Sequence, residues 1–115
     1  ILDMHAEATS EKAAIAWYLD GRVSVVAGTH THVATADARI LPKGTAFVSD
    51  IGMVGSVNSI IGVEPEDALA RFLSQTPQRF TVASAGPTQF NSVLVDVEDS
   101  TGKAIRIERV DRKLD

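Results

Sequence analysis

Three histidines are the only imidazoles in this 115-residue chain, and two of them fall in one pentapeptide, Gly28-Thr29-His30-Thr31-His32. The pentapeptide follows an apolar run, Val23-Ser24-Val25-Val26-Ala27, with the composition of a buried strand. Side chains alternate faces along an extended segment, so His30 and His32 are expected on one face and Thr31 on the other. Gly28 is expected to let the backbone turn sharply at the strand's carboxyl end. The third histidine, His5, closes a second apolar run, Ile1 to Met4. Paired imidazoles at a strand end suit a transition-metal site, and the carboxyl ends of parallel strands converge on one edge of a sheet. The three histidines are therefore expected to meet at one metal centre.

Three neutral imidazoles bring no charge to offset that of a metal ion. A dinuclear centre normally adds carboxylates. Asp3, Glu7, Asp37 and Asp50 are the nearest candidates. Asp3 shares the face of His5 if the strand is regular. Asp3 and Asp50 are read as structural, because a carboxylate at a strand end usually accepts backbone N–H groups in the following turn. Other chemistries find no residues. There is no cysteine, which excludes a disulfide framework, a thiolate metal site and a cysteine nucleophile. No serine sits in a nucleophile-elbow pattern, and Gly52 and Gly55 lack the lysine of a phosphate-binding loop.

The elements that would position the histidines read in order along the chain. A strand from Ile1 to Met4 leads to a helix capped by Thr9 or Ser10, apolar nearly all round through Leu19 and therefore expected to be mostly buried, with Trp17 and Tyr18 read as core or interface residues. Gly21 ends it. Strand, helix, strand suggests a βαβ unit in a layered α/β fold. Ala38 to Leu41 and Thr45 to Ser49 read as a hairpin around Pro42-Lys43-Gly44. Asp50 to Gly55 is expected as a loop, and Asn58 to Val63 as an irregular segment anchored by Ile60 and Ile61. Glu64-Pro65-Glu66-Asp67 starts a second helix, with Ala68, Leu69, Phe72 and Leu73 as its apolar stripe. Strands are expected over 79–83, 89–97 and 104–110, followed by a frayed charged tail from Asp111.

Composition sets the bounds. Apolar residues make up 44% of the chain, charged residues 23%, and the net charge is −4. These values fit an ordinary globular domain with no basic surface for a stable nucleic-acid complex, no membrane-spanning stretch, and a cytoplasmic setting. The chain opens inside a strand without an initiator methionine, so residues 1–115 are expected to be the C-terminal part of a single longer domain.

The residues that carry the chemistry also resemble a family. The strand-His5-Ala6-Glu7 pattern, then a helix, then Gly28-Thr29-His30-Thr31-His32-Val33, is similar to the calcineurin-like metallophosphoesterases, with Thr29 standing between the glycine and the first histidine of their Gly-His-x-His motif. The run from His5 to Lys12, Trp17 to Ser24, Asp50-Ile51-Gly52-Met53 and Ser59 to Val63 resembles the YmdB-type bacterial branch over essentially the whole chain. The resemblance implies a four-layer α/β/β/α sandwich and a dinuclear iron or manganese centre. It implies hydrolysis of small phosphodiesters, including 2′,3′-cyclic nucleotides, and leaves homo-oligomerisation open. By that resemblance His5 and His30 bind one metal ion and His32 the other. The remaining ligands and the proton donor belong to motifs absent from this chain, which alone is expected to be inactive. Two alternatives stand beside this. An amidohydrolase-like barrel would need repeating βα units after the His-x-His, where this sequence continues with hairpins. A non-catalytic metal-binding or interaction module would pack against a partner chain or the missing half, and Ile1 to Met4 and Val23 to Ala27 at an unpaired sheet edge or face would mark the piece as incomplete.

Overall fold

The computed structural model describes residues 1–115 and shows a mixed α/β chain. Strand β1 (Leu2–His5), helix α1 (Thr9–Leu19) and strand β2 (Val25–Thr29) form the expected βαβ unit, with β1 and β2 parallel and His5 directly opposite Thr29. Strands β3 (Arg39–Ile40) and β4 (Ala46–Val48) form the expected hairpin. Strand β4 pairs parallel to β2, which gives one sheet in the order β1-β2-β4-β3. Thus β2 is central, flanked on both sides, and its residues are the apolar ones. Strand β1 lies at the edge, paired on one side only.

Successive residues of β2 serve opposite faces, as the period of a strand requires. Val26 packs with Ala16, Leu41 and Phe47 beneath α1. Val25 packs with Ala46 and Ala104 on the other face, against Val95 and Ile107. Those last residues come from a second hairpin, β7 (Val93–Val97) with β8 (Ala104–Arg109). Helix, sheet and hairpin therefore stack in three layers, and the central sheet holds the histidine stretch at its carboxyl edge. A separate three-stranded sheet joins β5 (Val54–Ser56), β6 (Thr88–Phe90) and β9 (Arg112–Leu114).

Several expectations fail for physical reasons. Helix α1 is not mostly buried: only Lys12 and Ala16 are, while Trp17 and Tyr18 are exposed. A helix with apolar residues on every side carries no stripe to say which side faces the core. Neither Thr9 nor Ser10 caps it; Ala8 occupies the cap without a side-chain bond, and its carbonyl accepts the Lys12 N–H. Helix α2 (Pro65–Ser74) begins at Pro65 as expected, but of its apolar stripe only Ala68 is buried, with Phe72 76% and Leu73 84% exposed. The expected strand over 79–83 reduces to a single bridge between Val63 and Val82. The expected strand over 89–97 breaks into β6 and β7, each paired to a different sheet. The loop expected over 50–55 contains the first residues of β5. The charged tail is not frayed either, since β9 pairs with β6 through its backbone. No helix is long and apolar enough to cross a membrane.

Candidate metal centre

Strands β1 and β2 end side by side, and that is what brings His5 to His30. His5 is the last residue of β1, and its ladder partner Thr29 is the last of β2. One residue on, His30 turns its ring back over the strand ends. Its Nδ1 lies 3.2 Å from His5 Nε2, with the rings edge to face at 4.9 Å between centroids. Imidazole–metal bonds of roughly 2.1 Å place two nitrogens on one ion about 3.0–3.4 Å apart. The observed separation falls in that interval, so these two donors fit a shared ion.

His32 does not join them. Its Nδ1 sits 2.7 Å from the carbonyl oxygen of Ile61. A carbonyl only accepts, so Nδ1 carries the proton, and the neutral ring presents the lone pair of Nε2. Metal-binding histidines usually have this arrangement, with one nitrogen tied to an acceptor and the other left for the ion. No group of three or more His, Cys, Asp or Glu side chains able to hold an ion by itself is found in the chain. The three histidines thus do not form a one-ion site by themselves: His5 and His30 face each other, and His32 Nδ1 is held at the Ile61 carbonyl.

Strand alternation is not what orients the two histidines of the pentapeptide. Strand β2 stops at Thr29, and both His30 (φ 117°) and His32 (φ 63°) have positive φ. Ile61, which receives His32, has φ 48°. A β-branched residue there is strained, and such strain persists only where the surroundings enforce it. Gly28 also acts otherwise than expected: it lies within β2, and the chain turns two residues later.

The enforcing surroundings centre on Asp50. This carboxylate is 1% exposed and pairs with Lys12 Nζ, also 1% exposed, at 3.0 Å. It accepts the Thr31 N–H at 2.8 Å and the Gly52 N–H at 2.9 Å. The bond to Thr31 fixes the residue between the two histidines. Arg109 reaches across from β8 to donate to the carbonyl oxygens of Thr35 and Ile51, at 3.3 and 2.8 Å. Lys12, Arg109 and Ile61 escape sequence reasoning. The one available signal is Lys12, the only lysine of α1, set directly before its apolar run.

The other carboxylates sort clearly. Asp3 accepts the Thr29 hydroxyl at 2.7 Å. Asp37 accepts the Ser49 N–H at 3.1 Å and the hydroxyls of Ser49 and Thr35, so it is structural. Glu7 is exposed. Burial alone would raise the carboxyls of Asp37 and Asp50. Hydrogen bonds outweigh it and hold both below the usual range: from Ser49 and Thr35 to Asp37, and from Gly52, Thr31 and Lys12 to Asp50. The Arg109 guanidinium holds Asp111 down at about 2. A carboxyl whose folded pKa lies below its unfolded value contributes stability above the unfolded value and loses it as pH falls toward the folded one. The thermal midpoint is therefore expected to be flat down to about pH 5 and to drop between about pH 4 and pH 2. Asp111→Asn should lower the neutral-pH midpoint and flatten that acid drop, read by melting curves across pH.

The chain is similar to known proteins over most of its length. The model of the YmdB-like protein family matches residues 1–110. A 2′,3′-cyclic-nucleotide 2′-phosphodiesterase of Bacillus subtilis (strain 168) is 55% identical over 109 residues, 95% of this chain and 41% of that protein. A putative phosphatase/phosphodiesterase of Mycoplasma pneumoniae is 43% identical over 96% of this chain and 39% of its own length. The chain thus spans about two fifths of these relatives. Among solved structures, a novel phosphatase from Mycoplasma pneumoniae superposes with a TM-score of 0.93 at 41% identity, over 98% of this chain and 40% of that one. A hypothetical protein from Thermus thermophilus superposes with a TM-score of 0.90 at 50% identity, over 96% and 43% respectively.

Proposed function

This chain belongs to the YmdB-like protein family, and from that premise we propose that it supplies the histidine side of a dinuclear metal centre that hydrolyses phosphodiesters in the intact protein. The observation that carries the proposal is the His5–His30 pair, two ring nitrogens facing each other at 3.2 Å above the ends of parallel strands. His5 Nε2 and His30 Nδ1 would hold one ion, and His32 Nε2 would face the other. Iron or manganese suits imidazole together with carboxylate and amide oxygens. Those oxygen ligands and the proton donor would come from the part of the protein that lies outside the matched two fifths. Bound there, the ions would acidify a water molecule and neutralise charge on the phosphoryl oxygens.

The chain's own residues present lone pairs and keep them in place. The Ile61 carbonyl sets the tautomer of His32, and Asp50 fixes the backbone between His30 and His32. The substrate class that follows is a small phosphodiester, with a 2′,3′-cyclic nucleotide as the specific candidate. A cytoplasmic enzyme without a stable nucleic-acid complex fits the acidic, cysteine-free composition. The unpaired edge of β1, and the apolar hollow beside it formed by Ile1, Val25, Ala27, Val93 and Val95, would take the rest of the domain.

A second reading, a metal-binding or interaction module without catalysis, is favoured by the lack of a complete ion site in this chain. One experiment separates the two. In the intact protein, His30→Ala should lower bound metal and cut turnover of bis-p-nitrophenyl phosphate by more than about 100-fold, the upper end of what losing a ligand's supporting partner costs. Unchanged turnover with full metal content would overturn the proposal.

A further inference from the structure

Two side chains beside the histidine pair, Asp3 and Thr29, are not among the groups that would hold an ion. Asp3 and His5 lie on the same face of β1, two residues apart, and Thr29 stands opposite His5 on β2. The Thr29 hydroxyl donates to Asp3 Oδ1 at 2.7 Å, and the same oxygen lies 3.1 Å from His5 Nδ1. A hydroxyl has one proton, and here it is committed to the carboxylate, which can only accept. What Thr29 offers to His5 is therefore a lone pair, and Nδ1 must be the donor. The proton of the neutral ring then sits on Nδ1, and Nε2 is left with the lone pair that faces His30.

We propose that Asp3 and Thr29 form a two-step relay that fixes the tautomer of His5 and so aims its Nε2 at the ion shared with His30. Both are positioning residues, acting through His5 without touching the ion. The polarity runs one way: carboxylate, hydroxyl, Nδ1–H, ring, Nε2 lone pair. The chain reaches the same end by a different partner at His32, where the Ile61 carbonyl receives the Nδ1–H. In each case Nδ1 is tied to an acceptor and Nε2 is presented. The ion in this inference rests on the function proposed above; the tautomer does not, because it follows from the hydrogen-bond directions alone.

The test uses the intact protein and two readouts. Nitrogen-15 NMR of the metal-free protein should show His5 as the Nδ1–H tautomer. Thr29→Val, which keeps the shape and removes the hydroxyl, should shift the ring toward the Nε2–H form. In the same variant, the affinity for added Mn²⁺ should fall about 10–100-fold, the range for losing a partner that orients a metal-binding histidine. Thr29→Ser should restore both, and Asp3→Ala should act like Thr29→Val. An Nε2–H tautomer in the parent protein, or the same tautomer in parent and Thr29→Val, would overturn the relay. If Asp3→Ala abolishes Mn²⁺ binding while Thr29→Val leaves it intact, Asp3 is a ligand and the relay is likewise wrong. Failure of the parent protein to bind Mn²⁺ at all would instead count against the proposed metal centre, with the tautomer measurement still deciding the relay.

Discussion

Replacing Lys12 by methionine is expected to lower the unfolding free energy by about 3–5 kcal/mol, although the new side chain has similar length and is apolar. The reason is what it leaves behind. Asp50 is as deeply buried as Lys12, so solvent does not reach it to replace the ammonium. Removing one partner of a buried pair strands the other's charge, which costs far more than the pair was worth. Two donors remain, the N–H groups of Thr31 and Gly52, and they keep the loss from growing further. Asp50→Asn should cost a similar amount, since it strands the ammonium and turns an amide N–H₂ toward groups that also donate. The double variant should cost less than the sum, with a coupling of about 1–3 kcal/mol. Urea unfolding of the four proteins measures this directly, and additive losses would contradict it. The same four proteins report on the site. Asp50 holds the Thr31 N–H, so its loss should loosen His30 and His32 and weaken binding of Mn²⁺ without changing any ligand.

That pair also shows what the sequence could and could not reveal. The strand through Val25 and Val26 is legible because a central strand buried on both faces reads as an apolar run. The start of α2 is legible because Pro65 and its acidic neighbours suit only a helix's first turn. The burial of α1 is not, because its apolar residues surround the axis, and one of the two residues that mark the inward face is its lysine, Lys12. Strand β9 is hidden for another reason: its link to β6 runs through backbone groups, to which the charged side chains of Arg112 and Lys113 are indifferent. The pairing of His5 with His30 follows from strand ends and could be read from the pattern. The partner of His32 could not. Ile61 lies 29 residues away, in a left-handed conformation that its β-branched side chain gives no reason to expect. Asp3 on the face of His5 was legible from alternation alone, but its link through Thr29 needed the register of β1 on β2.

Gly28→Ala is expected to be the other severe substitution, and for reasons of space alone. Gly28 has no unusual backbone angle; it lies in β2, opposite Met4 of β1. A methyl group there would stand 1.7 Å from the Ser49 carbonyl oxygen, 2.5 Å from the carbonyl carbon and 2.9 Å from Lys12 Cδ. The first two are backbone atoms that no rotamer change can move aside. The Ser49 peptide would have to shift, and it leads straight into Asp50. Displacing it pulls the carboxylate from Lys12 and from the Thr31 N–H, and strains the bond from the Ile51 N–H to the Gly28 carbonyl, now 2.9 Å. Overpacking of this kind costs about 3 kcal/mol or more where the obstacle cannot relax. Gly55 gives the contrast. It too lies in a strand, but the nearest atom to an added methyl is Met53 Sδ at 3.9 Å. Gly55→Ala should therefore be neutral or stabilise the protein by up to about 1 kcal/mol. Urea midpoints of the two variants should differ widely, with Gly28→Ala well below the parent and Gly55→Ala at or above it. Because Ser49 couples the clash to Asp50, Gly28→Ala should also lose Mn²⁺ affinity although no histidine is substituted. A Gly28→Ala protein with the parent's stability would mean that Ser49 does not cross β2 this closely, and that the histidine loop is held by something other than Asp50.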